Sequence, residues 1–288
     1  YGVDFTGGRT YVVRFDQPVS AEEVRASAEA AFEGSVEVKQ FGGDSQMKIT
    51  TKYGIEDESP EMAATVSTML YDAVKGFFAQ EISYAEFTET QQNPNGIVSS
   101  DMVGPTIAND IKRDAVIAVL IALFVIFAYI AFRFKGWTWG LGGVVSLAHT
   151  AIIVIGFFSL FSGILPFNLD VDQTFIAAIL TIIGYAINDN VVIFDRIREY
   201  KSLHPKADFR ENTNLALNST LTRTMNTSIS TLVTMLAIAI FGGESVRGLS
   251  VALILGICFG TYASLFIGTP VMFDATAWNN RRKAAKKK

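Results

Sequence analysis

Residues 174–194 read TFIAAILTIIGYAINDNVVIF, an apolar run that carries Asn188, Asp189 and Asn190 in its second half. A run of this length is long enough to cross the hydrocarbon core of a bilayer as a helix. An ionisable side chain inside a membrane span is costly, so it usually marks an ion or substrate pathway. We therefore predict that Asp189 is a functional residue. The alternative, a carboxyl that only bonds a neighbouring helix, stays open.

Half of the residues are apolar, and they are concentrated after a polar first third. Five runs are long enough to be membrane spans, at about residues 115–132, 137–161, 174–194, 225–241 and 246–273. The composition predicts a polytopic α-helical membrane protein with a soluble domain at residues 1–100. Residues 101–114 are expected to be a linker or interfacial helix, and residues 274–288 a basic tail.

The basic residues predict the orientation of these spans. Arg133 and Lys135 lie between the first two spans, six basic residues lie in the stretch 195–224, and the tail is basic, whereas residues 162–173 carry no basic residue. Basic loops stay on the cytoplasmic side, so residues 1–114 are predicted to lie outside, in the periplasm, with the C-terminus in the cytoplasm. An outside domain before five spans needs an export signal of its own. We therefore expect a sixth span, truncated from this chain, before Tyr1.

Charge and cysteine content narrow the function classes. Residues 1–112 carry a net charge of −10 and residues 113–288 a net charge of +6. The acidic outer domain disfavours a nucleic-acid partner, because phosphate binding requires basic patches. The basic tail is expected to face anionic membrane lipids. The single cysteine, Cys258, leaves no disulfide and no cysteine-based metal site to predict, and we expect no cofactor.

The soluble domain is predicted to be an α+β domain of the ferredoxin-like βαββαβ type. The predicted elements are a strand at 10–16, a helix at 20–32, strands at 35–41 and 46–51, a helix at 60–79 and a strand at 82–90. We find no nucleophile, base or metal cluster in it. Its predicted role is therefore contact or shape rather than catalysis.

The fourth span carries polar residues at intervals of three and four, which lie on one face of a helix. They are Thr220, Arg223, Thr227, Ser230 or Thr231, and Thr234. Hydroxyl groups in such a stripe bond across helices or hold a file of water, and both interpretations stay open. His149, in the second span, is interpreted either as a member of a proton relay or as a neutral, hydrogen-bonded histidine.

The fifth span repeats a small residue at every fourth position. The predicted packing face consists of Gly248, Ala252, Gly256, Gly260, Ser264 and Gly268. Small residues at this spacing let another helix approach closely, and they let two helices slide with little steric resistance. The stripe predicts either static packing or a moving interface.

A carboxyl next to an arginine inside a membrane is suited to proton coupling. Desolvation favours its protonated form, whereas a nearby arginine favours the carboxylate. If a conformational change alters access to water or the distance from Asp189 to Arg223, the carboxyl takes up a proton on one side and releases it on the other. This is the minimal requirement of a proton-driven motor.

Several stretches of the chain closely resemble the SecD/SecF family of protein-export membrane proteins. The longest are GYAINDNVVIFDRIRE at 184–199 and ALNSTLTRTMNTS at 216–228, with GVDFTGG at 2–8. Shorter matches lie at Val103-Gly-Pro105 and at Gly260-Thr-Tyr-Ala-Ser264. The resemblance covers essentially the whole chain.

The resemblance implies half of a transporter of the resistance-nodulation-division superfamily, with six helices and a periplasmic domain after the first. It assigns proton conduction to Asp189 and Arg223, and we add Asn188 and Thr227, which lie beside them. The implied activity is that of an accessory subunit of the Sec translocase in the bacterial inner membrane. With SecD, as a separate chain or fused upstream, it uses the proton gradient to assist the movement and release of unfolded preprotein from the SecYEG channel.

Two other functions are weighed against this one. The first is half of a proton-driven small-molecule or lipid exporter of the same superfamily, which would share the intramembrane carboxyl. Such an exporter needs a large outer domain with an apolar cleft, and an acidic ferredoxin-like domain of about 110 residues offers little room for one. The second is an intramembrane protease, which we disfavour because only Asp189 is a central carboxyl and no serine nucleophile motif is found.

Overall fold

The computed structural model describes residues 3–33, 36–89, 94–161, 169, 171–242 and 244–286. Sequence predictions at residues 1–2, 35, 90, 162–168 and 287–288 lie outside the described residues. The chain forms two compact units. The α+β unit comprises Tyr1–Ala115, Phe161–Gln173 and Gly243–Gly248, and the helical unit comprises Val116–Leu160, Thr174–Gly242 and Leu249–Lys288.

The α+β unit is built on a four-stranded antiparallel sheet. Its strands are β1 (Gly8–Arg14), β2 (Val36–Phe41), β3 (Gly43–Thr51) and β4 (Gly96–Val103), in the spatial order β2-β3-β1-β4. Its helices are α1 (Val3–Thr6), α2 (Ala21–Phe32), α3 (Pro60–Val74) and α4 (Tyr84–Thr88), with a 3₁₀ turn at Lys75–Phe77. The order β1-α2-β2-β3-α3-β4 is that of a ferredoxin-like domain, as predicted from the sequence.

One face of the sheet forms the core of this unit. Along β3 the buried positions alternate, at Met47, Ile49 and Thr51. Successive side chains of a strand point to opposite faces, so this alternation directs one face inward. There Met47 and Ile49 belong to the same buried cluster as Val66 and Leu70 of α3. Burial of one sheet face under two helices accounts for the stability of the unit.

The predicted strand at 82–90 is wrong, because the described part of this segment contains α4 and the fourth strand is β4. Ser83 and Glu86 form a capping box, in which the Glu86 N–H donates to Ser83 Oγ at 3.3 Å and the Ser83 N–H to Glu86 Oε2 at 2.9 Å. This reciprocal pair satisfies backbone donors at the start of a helix. A local hydrogen-bonding pattern therefore outweighed the alternation that suggested a strand.

Within the described residues, five helical segments are long and apolar enough to cross a membrane, which agrees with the five predicted spans. The first four are α5 (Pro105–Arg133), α6 (Trp137–Phe161), α7 (Gln173–Leu203) and α8 (Phe209–Phe241). The fifth, Val246–Ala285, combines α9 (Glu244–Ala263), a π-helical turn (Ser264–Gly268) and α10 (Thr269–Ala285).

The helices extend well beyond their apolar runs. The stretch 195–224, predicted to be a loop, is mostly helical, since α7 continues to Leu203 and α8 begins at Phe209. Helix α5 begins at Pro105, and the basic tail starts as part of α10. Hydropathy marks the part of a helix that lies in lipid, whereas the backbone hydrogen bonds continue through polar residues on either side.

Candidate functional site

The small-residue face of the fifth span packs closely against α7. A Cβ atom on Gly260 would lie 3.1 Å from Ala186 Cβ, and one on Gly256 would overlap the Ile182 side chain. Residue numbers rise together along both helices, so α7 and α9 run in the same direction with contacts at every fourth residue. Close approach of this kind is what small residues at this spacing allow.

The rest of the predicted packing face is distributed along the same span. Ala252 and Ser264 are fully buried, and the Ser264 hydroxyl donates to a backbone carbonyl one turn earlier at 2.9 Å. A Cβ on Gly268 would lie 2.9 Å from Asn190 Oδ1, so that glycine makes room for the amide. Gly248 is half-buried and belongs to the α+β unit.

Asp189 lies where three helices meet. Its side chain is buried, with 4% of the residue exposed. Thr261 Oγ1 of α9 donates to Asp189 Oδ2 at 3.4 Å, and the same Thr261 oxygen lies 2.6 Å from Ser228 Oγ of α8. The side chains of Ser228, Thr261 and Asp189 thus form a hydrogen-bonded chain that links α8, α9 and α7.

Arg223 does not form an ion pair or a hydrogen bond with Asp189 in the part of the chain that the structure describes. Its side chain is exposed. The neighbouring residue Thr224 is buried. Successive residues of an α-helix are about 100° apart around the axis, so Arg223 is displaced from the packed face of α8.

The two asparagines beside Asp189 have different environments. Asn190 is fully buried, and its Nδ2 donates to Ser146 Oγ at 2.9 Å and to the Ala186 carbonyl at 3.2 Å. Asn188 is exposed on the surface of the chain. Asn190 therefore holds α7 to α6, whereas Asn188 is open to a partner, water or lipid.

The predicted polar stripe of α8 coincides only in part with the face that packs. Thr227 is half-buried and donates to the Arg223 carbonyl at 2.9 Å, while Ser230 and Thr234 are exposed. Thr231 Oγ1 lies 3.3 Å from the hydroxyl of Tyr185, which belongs to α7. The buried polar residues of α8 are Asn212, Thr213, Thr220, Thr224 and Ser228, and only Thr220 among them belongs to the predicted stripe.

Sequence reasoning missed Thr224, Ser228 and Thr261 as site residues. Thr220, Thr224 and Ser228 follow one another at intervals of four, so a second stripe that diverges from the predicted one after Thr220 could have been proposed. No comparable signal distinguishes Thr261 from the other polar residues of its span.

His149 lies beside an aromatic ring of the fifth span. Its ring centroid is 6.3 Å from that of Tyr262, and within the described ranges its buried Nδ1 has no hydrogen-bond partner. Among the described residues there is also no group of three or more histidine, cysteine or acidic side chains that could hold a metal ion.

Comparison with known proteins identifies the family. Residues 83–278 match the family described as "Protein export membrane protein SecD/SecF, C-terminal", and residues 1–19 match the "SecD/SecF GG Motif". The SecF protein translocase subunit of Rhodothermus marinus is 40% identical over 277 residues, which cover 96% of this chain and 83% of that protein. The SecF subunit of Pseudomonas aeruginosa is 35% identical, covering 94% of this chain and 80% of the relative.

A solved structure agrees with these matches. The crystal structure of SecDF from Thermus thermophilus, described as a translocon-associated membrane protein, superposes with a TM-score of 0.76 at 32% identity. The match covers 97% of this chain and 34% of the SecDF chain, so this chain spans about a third of that protein.

The five spans and the ferredoxin-like domain define a multi-pass membrane protein that serves transport rather than catalysis. Within that class the chain belongs to the SecD/SecF family, as a SecF-type subunit of the protein translocase.

Proposed function

We propose that this chain works with SecD to use the proton gradient for preprotein movement and release at the SecYEG channel. Protons are the coupling ion, and Asp189 is the group that binds them. The membrane is the bacterial inner membrane, with residues 1–114 on its outer side and the C-terminus in the cytoplasm. The names of the SecF relatives support the translocase role, and the basic stretches of the sequence support the orientation.

The observation that carries the proposal is the environment of Asp189. The carboxyl is buried at the contact of three membrane helices, and the hydrogen bond described for it comes from a hydroxyl group. An ionised carboxylate is stable in such a place only if a cation or water compensates it. The group is therefore neutral when closed off, and it ionises when water or Arg223 reaches it.

A shift between packed helices would give water or Arg223 access to Asp189. The contacts of Gly256 and Gly260 with α7 allow two helices to shift against each other with little steric resistance. Movement of α7 along α9 would change the distance between Asp189 on α7 and Arg223 on α8. The membrane potential contributes about 2.3 kcal/mol per charge per 100 mV to such a cycle.

SecD is the proposed partner within the membrane. The Thermus thermophilus SecDF relative is 34% identical over 99% of this chain, which covers 35% of that protein. Asn188 and Arg223 are exposed in helices that cross the bilayer, where polar groups are stable only against protein or water. A second membrane subunit that covers these residues would satisfy both.

Replacement of Asp189 by asparagine tests the proposal. We expect membranes carrying Asp189→Asn, together with SecD and SecYEG, to lose the stimulation of preprotein release by an imposed proton gradient, because the amide does not titrate. Asp195→Asn is the matched control, since Asp195 lies on the same helix but pairs with Arg133 and Arg198 at its exposed end. Full stimulation in Asp189→Asn at normal membrane abundance would refute the role of this carboxyl.

A further inference from the structure

The buried face of α8 contains two hydroxyl groups that do not bond to their own helix. Thr213 and Thr220 donate to carbonyls one turn earlier, at 2.8 and 3.1 Å, as threonines in helices commonly do. Ser228 instead bonds across to Thr261. Thr224 is only 2% exposed, and its buried Oγ1 has no hydrogen-bond partner within the described ranges.

A buried hydroxyl without a partner is costly, so such groups usually bind an ordered water molecule. Thr224 and Ser228 are four residues apart on a helix, a spacing that places their Cβ atoms about 5–6 Å apart. Their hydroxyls therefore lie on one face of α8, where a water molecule bound to both would satisfy Thr224.

On this basis we propose that Thr224, Ser228 and Thr261 form a relay that carries protons to and from Asp189. This inference rests on the proposed proton-coupled function, and it names the route by which the carboxyl exchanges its proton. The described links are 2.6 Å from Ser228 to Thr261 and 3.4 Å from Thr261 to Asp189, and the proposed water would extend the row to Thr224. Thr220 continues the row one turn closer to the start of α8.

The transfer along this row is balanced at every step. When the carboxylate accepts the Thr261 hydroxyl proton, Thr261 accepts the proton of Ser228, and Ser228 takes one from the water beside Thr224. The water takes the Thr224 hydroxyl proton, and Thr224 is restored by a proton that enters from the side of Thr220. Each oxygen gains one proton as it loses one, so no group other than Asp189 changes its charge.

The route predicts which hydroxyls of α8 matter. In membranes with SecD and SecYEG, Thr224→Val and Ser228→Ala are expected to lower the gradient-dependent part of preprotein release at least about tenfold, because each removes a proton donor from the row. The variants Thr224→Ser and Ser228→Thr keep a hydroxyl at the same place and are expected to restore it. Thr234→Val is the matched control, since the Thr234 hydroxyl is exposed and bonds to the Ser230 carbonyl.

The outcomes separate this route from the proposed function. Loss of gradient dependence in Asp189→Asn with full activity in Thr224→Val and Ser228→Ala would overturn the relay and leave the role of Asp189 intact. Loss in Thr224→Ser and Ser228→Thr as well, at normal abundance, would show that packing and not the hydroxyl is required, and would also overturn it. Recovery in both conservative variants supports the relay.

Discussion

Adding one methyl group at Gly256 should destabilise the helical unit. A Cβ atom there would overlap three carbon atoms of Ile182, a residue with only 2% of its surface exposed. The χ1 angle of isoleucine in a helix is nearly fixed, so the side chain cannot rotate away and the two helices must separate. Overpacking of this kind costs about 1–3 kcal/mol, and we expect Gly256→Ala to lower the free energy of unfolding by that amount.

A second substitution tests whether the penalty comes from the contact between residues 256 and 182. Ile182→Ala removes all three overlapping atoms and alone should cost about 2–5 kcal/mol, because it leaves a cavity. In the double variant the new methyl group at residue 256 enters that cavity, so its own penalty disappears. The double-mutant cycle should therefore give a favourable coupling energy of about 1–3 kcal/mol, equal to the cost of Gly256→Ala.

Equilibrium unfolding of the purified full chain in mixed micelles, followed by tryptophan fluorescence, measures both quantities. Gly184→Ala is the matched control, because a Cβ at Gly184 meets nothing within 4 Å. We expect this change to be neutral or to stabilise by up to about 1 kcal/mol, as glycine is a poor helix former. A Gly256→Ala variant as stable as the parent, or penalties that simply add in the cycle, would refute the close contact of α7 and α9.

Two further predictions concern the α+β unit. The N–H groups of Ala79 and Gln80 donate to the Asp16 carboxylate at 2.8 and 2.9 Å, and these hydrogen bonds, with that of Ala79 the stronger, lower the pKa of Asp16. The carboxylate therefore stabilises the fold above its unfolded pKa of about 3.9, and this contribution is lost as the pH falls through the lower folded value. Asp16→Asn should reduce the hydrogen-exchange protection of the amides of residues 79–80 near neutral pH. In acid, variant and parent should show the same protection; a difference in protection that does not change with pH would contradict this. Arg9→Met should lower the free energy of chemical unfolding by about 1–3 kcal/mol, because the buried guanidinium donates to the carbonyls of Gly54 and Asp57. An unchanged unfolding midpoint would exclude that role.

The sequence predicts the membrane spans well because hydrophobicity acts over whole runs of residues. Each span needs about 20 apolar residues whatever its neighbours are, so a window of composition is sufficient. The ends of the helices depend on local hydrogen bonds that a composition window does not detect. Ser83 and Glu86 illustrate this, because their capping box makes a helix where the pattern of apolar residues favours a strand.

The site is harder to predict because it depends on the rotation of one helix. Hydroxyl residues occupy two sides of α8, and the spacing alone favours the side with Arg223 and Thr227 as much as the side with Thr224 and Ser228. Packing against α9 selects the second side, through the contact of Ser228 with Thr261. Since Thr261 lies 33 residues further along the chain, no local pattern could have indicated the choice.

The hydroxyl of Thr261 has only one proton to donate, although it lies within hydrogen-bonding distance of two oxygens. When Asp189 is ionised it only accepts, so Thr261 donates to the carboxylate and accepts from Ser228. When Asp189 is protonated it is able to donate to Thr261, which then donates to Ser228. The direction of the hydrogen bonds between α7, α9 and α8 therefore reverses with the charge of one carboxyl. A change of protonation at Asp189 would therefore reach the contact of α8 with α9 through the two hydroxyl groups of Thr261 and Ser228.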